Sequence, residues 1–133
     1  MSSKKQKKEH KKMSFHRFLM SFKYSWDGLK YAYANEQSLR MHGMGCILIL
    51  ILGILFHITF MEWIVLIIAS VVVLVIELLN TAIEHTVDLV TKEIHPLAKI
   101  AKDCGSAAGG ISGIMMLIVS LAIFIPYFIA LFK

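Results

Sequence analysis

Three apolar stretches, 43–61, 63–90 and 104–132, approach or exceed the length that crosses a bilayer, and no other part of the chain does. A spanning helix needs about 20 predominantly apolar residues, because the hydrocarbon core is about 30 Å thick. The first stretch lies near the lower limit of that range, and the second continues past its uncharged part as a cytoplasmic extension. With 133 residues, 57% of them hydrophobic, the chain reads as an all-α integral membrane protein of one unit. Pro126, late in the third stretch, is compatible with a membrane helix.

Lysine and arginine give the orientation. Lys4, Lys5, Lys7, Lys8, Lys11, Lys12, Arg17, Lys23, Lys30 and Arg40 precede the first span, and Lys92, Lys99 and Lys102 lie between the second and third. The connection between the first two spans carries only Glu62, and the far end only Lys133. The positive-inside rule then predicts a cytoplasmic N-terminus, a cytoplasmic loop over 91–103 and an external C-terminus, and the chain is expected as a multi-pass protein of the inner (cytoplasmic) membrane. The first apolar run starts too late for a cleaved signal peptide. Cys46 and Cys104 are far apart, which gives a disulfide framework no support.

The segment before the spans divides in two. Residues 1–13 form a basic, low-complexity tail expected to be disordered and to touch anionic lipid. Without interleaved aromatics it does not read as a nucleic-acid-binding arm. Over 14–40, Phe15, Phe18, Leu19, Phe22, Trp26, Leu29 and Tyr33 recur at helical spacing. The pattern predicts an amphipathic helix in the membrane interface, with Ser14 as its cap. Tyr24, Trp26 and Glu36 are the members whose polar groups could aim toward the second span.

In that span, Glu77, Asn80, Glu84 and Asp88 fall within roughly 80° of one another on a 3.6-residue helix. The uncharged run 63–76 leads straight into Glu77. Ionisable groups at such depth face protein or water rather than lipid. Acid, amide, acid and acid over three turns suit a divalent cation, or a phosphate ligand held through one. A polar helix–helix contact is the structural alternative. The loop 91–103 holds Lys99, Lys102 and Asp103, the last two expected at the first turn of the third span, where a helix N-terminus favours anions. Gly105, Gly109 and Gly113 then repeat every fourth residue, a face for close helix approach within the chain or between protomers.

There is no P-loop, no protein-kinase loop set, no nucleophile-elbow pentapeptide and no zinc-protease helix motif. A proton-coupled transporter should place its ionisable group near the midplane with repeat symmetry, and neither is seen. A purely structural assembly subunit would not need the acidic stripe.

Glu77-Leu-Leu-Asn80-Thr-Ala-Ile-Glu84-His-Thr-Val-Asp88, followed by Ala101-Lys102-Asp103, resembles the signature of the small prokaryotic diacylglycerol kinase family. Tyr24-Ser-Trp26, Gly28, Asn35-Glu36 and Glu62-Trp63 add to the likeness, which covers about residues 14–130. The resemblance implies a homotrimeric membrane kinase with composite sites between protomers, moving the γ-phosphate of MgATP onto a lipid primary hydroxyl. By position it implies Glu77 as general base and Glu36 and Glu84 as Mg²⁺ ligands. Arg17, Tyr24, Glu36, Glu84, Glu93, His95, Lys102 and Asp103 become nucleotide contacts, and Trp26, Glu77, Asn80 and Ser106 lipid contacts. Residues 77–89 and His95-Pro96-Leu97-Ala98-Lys99 resemble the undecaprenol kinase branch, whereas Gly105-Ser106-Ala107-Ala108 resembles the diacylglycerol branch. Undecaprenol is the favoured substrate and diacylglycerol the alternative.

Overall fold

The computed structural model describes residues 15–132; the basic tail and the expected cap Ser14 lie outside them. The described residues form four helices, α1 (Phe15–Asn35), α2 (Gln37–Leu55), α3 (Phe60–Val90) and α4 (Pro96–Ala130), and no strand. The last three are long and apolar enough to cross a membrane.

Each break between helices has a local chemical cause, and each moves a boundary expected from the sequence. The single helix expected over 14–40 is interrupted at Glu36, whose backbone is extended at φ −100° and ψ 118°. Arg40 Nη1 donates to the carbonyls of Tyr33 (3.2 Å) and Ala34 (2.7 Å), and Asn35 Nδ2 to that of Tyr31 (2.8 Å). These donors satisfy carbonyls that the end of α1 leaves open. Residues 37–40 therefore start α2.

The first span, expected over 43–61, is shifted toward the N-terminus and ends at Leu55. His57 takes a positive φ of 51° in the turn that follows. Thr59 then opens α3 with a capping box. Its Oγ1 accepts from Glu62 N (3.3 Å), while Glu62 Oε2 accepts from Thr59 N (2.7 Å). This brings the start of α3 forward from 63 to Phe60.

The loop expected over 91–103 shrinks likewise, because α4 begins at Pro96. Proline at the first helical position has its φ preset and no N–H to leave unpaired. His95 Nδ1 accepts from Leu97 N at 3.2 Å and caps the start. Lys102 and Asp103 thus lie well inside α4, and the helix N-terminus expected beside them is at Pro96 instead.

Side-chain pairings give the packing. Gly105 lies against Asn80, Gly109 against Glu77, Ile123 and Phe124 in a cluster with Leu66, and Tyr127 against Glu62, so α4 runs antiparallel to α3. Ser38 pairs with Glu77, Cys46 with Ser70, and Gly53 with Trp63, so α2 also runs antiparallel to α3. The core is layered. Ile58, Leu66, Ile123 and Phe124 fill the end near the α2–α3 turn; Cys46, Val73 and Met116 form the next layer. The buried Ser70, Ser112 and Ser120 return their hydroxyls to carbonyls of their own helices. Beyond these layers, toward the α3–α4 turn, the interior becomes polar at Glu77.

Candidate active site

Glu77 sits where α2, α3 and α4 meet, and it is only 4% exposed. Burying a carboxylate is costly unless partners replace the water it loses. Ser38 Oγ donates to Oε2 at 2.5 Å, and His42 Nδ1 stands 3.1 Å from Oε1. The His42 approach is within ion-pair distance but off the line of a hydrogen bond. Ser38 and His42 lie one turn apart on α2. The third side is α4, where a Cβ on Gly109 would come within 2.7 Å of Oε1.

One turn along, Asn80 Nδ2 donates to Glu84 Oε1 at 2.9 Å, and Asn80 Oδ1 is buried without a partner. A Cβ on Gly105 would overlap that oxygen, and one on Gly113 would come within 3.0 Å of His42 Nε2. The glycine repeat, open in sequence to contacts within or between chains, here lets α4 close over the polar residues of α2 and α3.

Farther along the same face, Lys102 Nζ meets Asp88 Oδ1 at 2.5 Å, and both residues are half-buried. Lys99 pairs with Asp103 on the surface of α4, also at 2.5 Å. Asp88, Lys92, Glu93, His95, Lys102 and Asp103 line an open cleft of about 290 Å³ beside the α3–α4 turn. Glu93, His95, Lys102 and Asp103, expected as nucleotide contacts, are thereby brought together. The cleft is at the small end of ligand sites, which suits phosphates better than a whole nucleotide.

Other expected site residues make no such contacts. Arg17, Tyr24, Trp26 and Ser106 are exposed and Glu36 is half-buried. Among the described residues, no hydrogen bond or ion pair joins any of them to the α3 face. Trp26 is covered by the Lys30 ammonium, 5.5 Å from its ring centroid. What ties α1 to α3 is a pair the sequence did not single out. The Tyr31 hydroxyl lies 2.9 Å from His85 Nε2, and His85 Nδ1 lies 2.9 Å from the Thr81 carbonyl. A carbonyl can only accept, so Nδ1 carries a proton, and in the neutral ring Nε2 accepts from Tyr31.

No three His, Cys, Asp or Glu side chains converge to hold a metal among the described residues. Glu84 is a half-buried carboxylate on the α3 face that accepts from Asn80 Nδ2, while Asn80 Oδ1 is turned away into α4 at Gly105. Mg²⁺ usually takes one or two carboxylates, keeps several waters and completes its shell with substrate phosphates, so a single carboxylate such as Glu84 fits it. Sequence reasoning missed Ser38, His42, Tyr31 and His85. A histidine at the edge of an apolar span, spaced i, i+4 from a serine, was the available signal for the α2 pair.

Comparison with known proteins adds an independent line. The family described as prokaryotic diacylglycerol kinase matches residues 23–124. Over 119 residues the chain is 36% identical to an undecaprenol kinase of Bacillus subtilis, covering 90% of this chain and 96% of that protein. It is 38% identical over 114 residues to a diacylglycerol kinase of Synechocystis, covering 85% of this chain and 65% of that one. A diacylglycerol kinase of Escherichia coli is 36% identical over 94 residues, covering 71% and 77% respectively.

Proposed function

Because the chain belongs to the prokaryotic diacylglycerol kinase family, we propose that this ATP-dependent lipid kinase phosphorylates the primary hydroxyl of undecaprenol, giving undecaprenyl phosphate. The carrying observation is Glu77, a carboxylate kept deep among apolar helices by partners that leave Oε1 without an aligned donor. Nearly full-length similarity to an undecaprenol kinase supports the choice of lipid. The second reading is a diacylglycerol kinase making phosphatidic acid. It is favoured by Gly105-Ser106-Ala107-Ala108 and by the relatives from Synechocystis and Escherichia coli.

In this mechanism Glu77 takes the proton of the lipid hydroxyl as general base. Glu84 and Glu36 would hold Mg²⁺, which when bound would offset charge on the phosphates of ATP. Lys102 reaches the phosphates from its pairing with Asp88. Arg17, Tyr24, Glu93, His95 and Asp103 hold the nucleotide, and Trp26, Asn80 and Ser106 flank the lipid. The exposed Phe15, Phe18, Leu19 and Phe22 bed α1 in the interface as an amphipathic helix. A homotrimer with sites shared between protomers is part of the proposal. So are the cytoplasmic N-terminus, the external C-terminus and a place in the inner membrane.

The test is γ-labelled ATP with Mg²⁺ and purified protein in mixed micelles, offered undecaprenol and diacylglycerol at matched mole fraction. Label predominantly in undecaprenyl phosphate is the expected result. Label predominantly in phosphatidic acid would transfer the assignment to the second reading, and label in neither would overturn the kinase.

A further inference from the structure

Helix α2 carries two polar side chains toward Glu77, and the reading of Glu77 as base leaves both unused. Ser38 Oγ lies on Oε2 at 2.5 Å and His42 Nδ1 beside Oε1 at 3.1 Å, so the carboxylate is gripped at both oxygens from one helix. The two grips differ. Ser38 makes a short hydrogen bond, whereas the His42 nitrogen is off the hydrogen-bond line. Nδ1 therefore faces Oε1 as a polar neighbour at 3.1 Å without a hydrogen bond between them. Gly113 on α4 has no Cβ where the His42 ring nitrogen Nε2 lies, so the ring fits against that helix. Gly109 likewise has no Cβ beside Oε1.

We propose that Ser38 and His42 are positioning residues that hold the Glu77 carboxylate in one orientation, Oε2 tied to Ser38 and Oε1 turned out to receive the hydroxyl proton. The inference rests on the reading of Glu77 as general base. In the forward step the lipid O–H bond breaks, its proton goes to Oε1, and the alkoxide electron pair forms the new bond to the γ-phosphorus as the bond to ADP breaks. Ser38 and His42 gain and lose no proton. Their effect is geometric, and a misplacement of about 1 Å at such a base costs roughly 100-fold in rate.

The experiment compares Ser38→Ala, His42→Leu and His42→Asn with wild type and Glu77→Gln in the mixed-micelle assay, separating kcat from KM for both substrates. Ser38→Ala and His42→Leu should lower kcat roughly 10- to 100-fold with both KM values unchanged, as loss of an orienting partner does. His42→Asn should recover most of kcat, because its amide nitrogen can take the place of Nδ1. If Ser38→Ala and His42→Leu keep the wild-type kcat while Glu77→Gln is inactive, the positioning role is overturned and the base survives. His42→Asn as impaired as His42→Leu would also overturn it, since a polar nitrogen there would then not suffice. Ser38→Ala removes a single hydroxyl, so it decides the matter should His42→Leu fail to fold. An active Glu77→Gln would instead overturn the base, and the positioning role with it.

Discussion

Gly109 shows how much one missing side chain carries here. A methyl group at this position would stand 2.7 Å from Glu77 Oε1, inside contact distance, so either the carboxylate swings away or the helices part. Since the obstructed atom ends a flexible side chain, the carboxylate should yield first. Gly109→Ala should therefore lower kcat by about tenfold or more, with a stability cost of about 1–3 kcal/mol at most. Gly110→Ala is the control on the same helix, because its Cβ would meet nothing within 4 Å. Lipid phosphorylation and thermal unfolding of the two purified variants check this. Equal activity in both would mean that Glu77 is not confined as described. At this scale Glu77, Asn80, Glu84 and Asp88 were legible from helical period alone, since a 3.6-residue repeat fixes which side chains share a face. Ser38 and His42 were not, because the first span was drawn from Gly43 onward by its apolar run. Their partner lies thirty-five or more positions away in α3, and no local rule links them.

At the scale of elements, the bundle is set by helix ends as much as by apolar faces. Thr59 and Glu62 start α3 reciprocally, and the same Glu62 Oε2 accepts the Tyr127 hydroxyl at 2.7 Å, joining the end of α4 to the α2–α3 turn. Thr59→Ala removes a cap and should cost about 1 kcal/mol, as N-cap truncations do. The expected signature is a lower unfolding temperature in detergent with kcat intact, since the site lies at the opposite end of the bundle. A fall in kcat without loss of stability would contradict this separation. The Thr-x-x-Glu spacing and Pro96 were signals present in the sequence, but the expected starts at 63 and 104 followed the apolar runs instead and missed both. The break at Glu36 was not, because it depends on Arg40 folding back onto the carbonyls of Tyr33 and Ala34.

At the scale of the whole molecule, most large apolar side chains point outward. Ile47, Leu48, Ile68, Val71, Leu117 and Ile118 are all more than half exposed. A chain of this kind is suited to lipid or to neighbouring copies around it, with its polar residues kept inside and toward one end. The three spanning helices were legible because a bilayer imposes length and hydropathy together. Site completeness was not, since no hydrogen bond or ion pair joins Glu36, Trp26 or Arg17 to the α3 face among the described residues.

The most direct test of the central claim is the rate of phosphoryl transfer by Glu77→Gln at saturating MgATP and undecaprenol. A general base contributes roughly 10²- to 10⁴-fold, so the folded variant should lose at least about a hundredfold in kcat while still binding nucleotide. A variant that phosphorylates lipid at close to the wild-type rate would contradict the account, leaving Glu77 a packing residue.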